Sequence, residues 1–194
     1  MIEQHLSTAD LYKNILSGDA VFNLPQLSID QVWCRLARSP EKAMGDFFFP
    51  PNIPTRFNPG QFESLAMAED ALTATFEITK NADLGDTVEL LKRLTLMQFR
   101  VRLHQVADLS DPDSVKKALG IDFSSLIGLG NPNRVSVTQQ ICLDLFVRGF
   151  EGAIFPSRTT ISKKNLVLLP NSRRAQNPFS LLFSGSLKTS ARTQ

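Results

Sequence analysis

The clearest pattern in the chain runs from Thr95 to Ala107, where Met97, Phe99, Val101 and Leu103 alternate with Gln98, Arg100, Arg102 and His104. A side-chain period of two predicts a strand with one face buried. Val32-Trp33-Cys34-Arg35-Leu36 reads as a shorter strand, with Trp33 and Arg35 on one side and Val32, Cys34 and Leu36 on the other. Leu166 to Leu169 forms an apolar strand stopped by Pro170.

Helical spacing appears elsewhere. Leu6, Leu11, Ile15 and Leu16 recur at that spacing until Ser17-Gly18-Asp19 breaks it. Met67 to Lys80 predicts a helix after a short strand, with Ala71, Leu72, Thr75, Phe76 and Ile78 as its apolar face. Asp111 to Gly120 has an N-cap, a proline in the first helical position and a terminal glycine. Arg134 to Arg148 turns Val137, Ile141, Cys142, Leu145 and Phe146 toward a core and ends at Gly149. Between the first strand and these helices, Pro40 to Gly60 holds five prolines and the triple Phe47-Phe48-Phe49, which predicts an ordered, partly buried loop.

Strands and helices both occur along the chain, so the fold combines the two. The expected organisation is a helical arm over residues 1–30, a main domain over 31–170 and a Ser/Thr-rich basic tail over 171–194, whose Phe179–Phe183 cluster docks on the body. No repeat with a period of 20 to 50 residues is visible in the sequence.

Composition adds bounds. A chain of 194 residues, 42% of them apolar, can build a core without covalent staples. The net charge of +2 conceals a division, because residues 171–194 carry Arg173, Arg174, Lys188 and Arg192 with no acid, which leaves the preceding part at −2. A slightly acidic body is a poor phosphate-backbone surface, and no direct contact with nucleic acid is expected. The first residues lack a basic segment followed by an apolar one, and no apolar run reaches the ~18 residues of a membrane span. The expected setting is the cytoplasm. Cys34 and Cys142 lack metal or redox spacing and read as buried free thiols.

Standard catalytic signatures are missing: the sequence has no G-x-S-x-G, no phosphate-binding G-x-x-x-x-G-K-[ST] and no H-E-x-x-H. Its two histidines, His5 and His104, fall in the arm and on the polar side of a strand, so neither a Ser-His-Asp triad nor a metal site is expected. Arg, Glu, Asp and Ser remain. They suit a ligand that already carries phosphates: Arg clamps a pyrophosphate, a carboxylate stabilises an oxocarbenium-like sugar and a hydroxyl orients it. Cleavage of the nicotinamide–ribose bond fits that set, because nicotinamide leaves without needing an acid.

Three segments in order carry a resemblance: Val32-Trp33-Cys34-Arg35-Leu36; Arg56-Phe57-Asn58-Pro59-Gly60 through Ala74-Thr75-Phe76-Glu77; and Gly152-Ala153-Ile154-Phe155-Pro156-Ser157 followed by Asn165-Leu166-Val167-Leu168. Over roughly residues 30–170 the chain resembles the RES domain family, named for its Arg, Glu and Ser. The resemblance implies an α+β fold similar to ADP-ribosyltransferase toxins, with a mixed or antiparallel central sheet flanked by helices, and an enzyme that consumes NAD, as substrate, by phosphorolysis or hydrolysis. It also implies a bacterial toxin restrained by a helix-turn-helix antitoxin. On this resemblance Arg35 and Arg56 would hold the phosphates or ribose, Glu77 would sit beside the nicotinamide ribose, and Ser157 would line the same pocket. Arg56, Glu77 and Ser157 form the expected catalytic set, and Arg35, Arg56 and Ser157 the NAD-binding one. Ala66 stands where the family usually has an aromatic residue, with Phe62 or one of Phe47 to Phe49 as candidate substitutes. Two other readings stay open: a scaffold kept for protein binding, and transfer of ADP-ribose to a protein.

Overall fold

The structure is a computed structural model that describes residues 20–37, 54–80, 83–127, 136–160, 162–174 and 178–186. The triple phenylalanine, most of the arm and the end of the tail lie outside them. The sheet is built on β3 (Thr95–Asp108), in which Met97, Phe99, Val101 and Leu103 are all buried as the alternation predicts. β1 (Gln26–Ala37) pairs antiparallel along β3, from Gln26 opposite Ala107 to Ala37 opposite Thr95, with an irregularity between Leu27 and Ile29. This strand begins at Gln26 rather than Val32, inside the segment expected to be a helical arm. The pairing with β3 extends it through polar residues whose side chains face solvent, which apolar periodicity alone does not detect.

β2 (Leu65–Ala68), β4 (Gly152–Pro156), β5 (Lys164–Leu168) and β6 (Phe179–Ser186) complete the sheet. β3 and β4 are parallel, while β4–β5 and β5–β2 are antiparallel. The order β1-β2-β5-β4-β3 closes on itself through the β1–β3 pairing, so five strands form a barrel. β6 pairs with the other margin of β3, from Val101 back to Thr95. The Phe179–Phe183 cluster thus docks on the body as expected, and does so as a strand.

Side chains fill the barrel. Trp33, Met67, Phe99, Ile154 and Leu166 belong to one buried cluster drawn from all five strands, as expected where so few strands leave no room for a ligand. A second cluster lies outside the barrel wall, where Ala153, Phe155 and Val167 pack against Ile141, Cys142 and Leu145.

Among the described residues, five α-helices accompany the barrel: α1 (Ala71–Thr79), α2 (Leu84–Lys92), α3 (Pro112–Leu119), α4 (Ser124–Ile127) and α5 (Val137–Val147). α3 has the predicted ends: Asp111 accepts a hydrogen bond from the Ser114 N–H, Pro112 opens the helix, and Gly120 closes it at φ 67°. α5 starts in a reciprocal capping box between Ser136 and Gln139. The helix expected from Met67 yields its first residues to β2, because Met67 and Ala68 pair with β5. α2 has no counterpart in the sequence reading.

The buried face of α1 differs from the expected one. Thr73 and Ala74 are buried, while Leu72 is 61% and Phe76 45% exposed. Helical geometry sets Glu77 above Thr73 and Ala74, on the face turned toward the barrel.

Candidate active site

The site lies where the barrel is least well closed. β1 and β2 share a single paired position, Cys34 opposite Ala68, and the strands separate beyond it. Arg35 spans the seam, its Nη1 donating to the Ala66 carbonyl at 2.7 Å. A cleft of about 300 Å³ opens there, lined by Arg35, Arg56, Ala66, Glu77, Lys80 and Asn165, among others. Its size suits part of a small ligand.

Arg56 arrives on the loop after Pro54, which is irregular but tightly held. The Asn58 Oδ1 accepts the N–H groups of Gly60, Gln61 and Phe62 at 2.8, 3.2 and 3.5 Å, and Gly60 takes a positive φ of 93° that glycine adopts without strain. The start of α5 grips the same loop: Thr138 donates to the Arg56 carbonyl at 2.9 Å, and Gln139 donates to the Thr55 carbonyl at 2.6 Å. The guanidinium is then fixed from the far side, with Nη2 donating to the Leu126 carbonyl of α4 at 2.6 Å.

Glu77 is held most firmly. Its Oε1 accepts from the Ser157 hydroxyl at 2.9 Å, the Arg158 N–H at 3.0 Å and the Asn165 amide at 2.9 Å. Oε2 meets the Lys80 ammonium at 3.3 Å. Burial pushes the Glu77 pKa up, but donation from Asn165, Ser157 and Arg158 and the charge of Lys80 outweigh it, so the carboxyl lies below its ordinary range. The group is an oriented carboxylate with one oxygen saturated by donors and the other directed to a single cation.

The two arginines lose solvation. Burial lowers Arg35 to about 10. Burial, then the charge of Arg158, lowers Arg56 to about 10, while Glu77 acts in the opposite sense. Both remain cations at neutral pH. Cys34 and Cys142 are free and buried, and burial raises both thiols.

The cleft therefore brings Arg35, Arg56 and Glu77 together. Ser157 does not line it. Its hydroxyl sits behind Glu77, donating to the carboxylate while accepting the Thr159 and Thr160 N–H groups at 3.2 Å each. Ser157 lines a neighbouring cleft instead. Phe62 is not in the cleft either, because its ring stacks on Phe146 at 5.1 Å between centroids in the core. His104 is exposed on β3. Sequence reasoning missed Lys80, Arg158 and Asn165; the signal for Asn165 was a polar residue opening the apolar run of a fully enclosed strand.

The model of the RES domain matches residues 32–181. The chain belongs to the RES domain family. Its Arg35, Glu77 and Ser157 all fall within the matched span. Among solved structures, the crystal structure of the M. tuberculosis MbcT–MbcA toxin–antitoxin complex contains a chain similar to this RES domain protein, with TM-score 0.69 at 17% identity over 91% of each chain. At that identity the likeness is one of fold. No curated protein matches the chain.

Proposed function

We propose that this RES domain protein cleaves the nicotinamide–ribose bond of NAD. The supporting observation is the Glu77 carboxylate, ionised and immobilised in a cleft that also presents Arg35 and Arg56. In this reading the C1′–N bond breaks with its electron pair passing to the nicotinamide nitrogen, which leaves neutral. Glu77 Oε2 faces the developing oxocarbenium ion and stabilises it electrostatically. An acceptor oxygen then bonds to C1′: hydrogen phosphate attacks as the anion, whereas water releases its proton to solvent. Arg56 and Arg35 counter the phosphate charge. Ser157 acts through Glu77, since its one proton is already committed to the carboxylate.

The reading extends to biology. The neighbouring fold comes from a toxin–antitoxin complex, and a chain that depletes NAD needs restraint, so we assign it the toxin role with an antitoxin of helix-turn-helix type as partner. Purified protein incubated with NAD, with and without inorganic phosphate, should release nicotinamide, and the sugar product identifies the acceptor. Folded protein that releases none under either condition excludes the reading.

A further inference from the structure

Beyond the Glu77 cleft, on the other side of the turn that begins at Ser157, lies a second cleft of about 330 Å³. Its walls combine apolar surface from Ile127 of α4 and from Phe123, the residue before that helix, with Arg158, Thr160 and Ser162. Nothing in the reaction assigned above uses it. The two clefts share a boundary: Ser157 and the Arg158 N–H hold Glu77 from behind, and Arg56, which lines the first cleft, bonds Leu126 of the helix that lines the second.

That boundary carries unmatched polarity. Among the described residues, the Arg56 Nε and the Thr160 hydroxyl are buried without a hydrogen-bond partner, and the Arg158 guanidinium takes part in none of the ion pairs. Arg56 and Arg158 also repel each other, with Glu77 as the compensating acid beside Arg56. Buried donors with nothing to donate to, next to two like charges, suit an anion. An apolar wall lined with hydroxyls just beyond suits a nucleoside.

We propose that the second cleft binds the adenosine-phosphate half of the dinucleotide, with Arg158 and Arg56 on its phosphates and the apolar surface of Phe123 and Ile127 against the base. The proposal deepens the NAD reading and rests on it. It moves the pyrophosphate from the pair Arg35 and Arg56 to the pair Arg56 and Arg158, and leaves Arg35 to brace the seam at Ala66.

The test is calorimetric titration of the full chain with ADP. The wild type should bind it, and Arg158→Gln should weaken binding by about tenfold or more, the scale of one charge-assisted contact. Thr160→Val, which removes the hydroxyl at nearly constant shape, should weaken it several-fold, and this second variant serves if Arg158→Gln fails to fold. Arg158→Gln should also raise the KM for NAD. No ADP binding by the wild type, or unchanged affinity in both folded variants, overturns the proposal. The two readings fail separately: nicotinamide release with ADP affinity unmoved by the variants removes the subsite alone, whereas ADP affinity lost in the variants without nicotinamide release by the wild type removes the cleavage reading alone.

Discussion

At the scale of the residue, the proposed reaction rests most heavily on Glu77, so its protonation should decide when the site works. Its folded pKa lies below the unfolded value, so the stability its ionisation contributes is fully present above the ordinary glutamate range and is lost as pH falls through the lowered value. The acid limb of the pH–rate profile should therefore lie below the pKa of a free glutamate. Asn165→Leu removes a buried donor at 2.9 Å from Oε1, leaving burial less opposed. Its acid limb should move to higher pH, a shift that general loosening of the fold would not produce; an unmoved limb would mean that Asn165 does not tune the carboxylate. Glu77→Gln keeps the shape and discards the charge, and nicotinamide release should fall by about 10²-fold or more. Thermal melting of that variant should fall only modestly, because the amide oxygen can still accept from Ser157, Arg158 and Asn165 while the contribution of the charge is lost.

At the scale of the element, α5 and the Arg56 loop behave as one unit. Gln139 serves twice, closing the capping box at Ser136 with one end of its amide and holding the Thr55 carbonyl with the other. Gln139→Ala should cost about 1 kcal/mol of stability, as loss of a cap does, yet raise the KM for NAD by a larger factor than that cost implies, because Arg56 loses its register. Equal small changes in denaturation midpoint and KM would reduce Gln139 to a cap alone. β4 tests the barrel wall: a Cβ on Gly152 would meet the Val167 carbonyl oxygen at 2.9 Å and the Leu103 side chain at 3.1 Å. Gly152→Ala should lose about 1–3 kcal/mol in urea unfolding. Such elements were unevenly legible in the sequence. β3 and α3 were readable because alternation and capping are local signals. The Gln26 end of β1 was not, since its pairing with β3 spans distant residues, nor was the exposed apolar side of α1, where Thr73 and Ala74 occupy the buried side instead.

At the scale of the whole molecule, the RES residues were readable as a set but their arrangement was not. Arg35, Arg56, Glu77 and Ser157 lie far apart in the chain, and closure of the barrel brings the first three to one seam. That Ser157 stands behind Glu77 rather than in the cleft follows from the turn between β4 and β5, which no motif spacing encodes. The site draws on β1, β2, β5, α1 and the Arg56 loop, so a ligand seated there ties together both sides of the weakest strand pairing in the ring. On the proposed reading, NAD added to the slowly reacting Glu77→Gln variant should therefore stabilise the entire barrel. At a concentration about 100 times Kd the gain is about 2.7 kcal/mol, or roughly 5–10 °C in Tm for a chain of this size. Trp33, the chain's one tryptophan, is 1% exposed among the barrel's interior side chains and reports that core directly. Its fluorescence and far-UV circular dichroism should melt together and shift by the same amount on adding NAD. A shift seen in circular dichroism but not in Trp33 would place the ligand on the outer helices, away from the seam between β1 and β2.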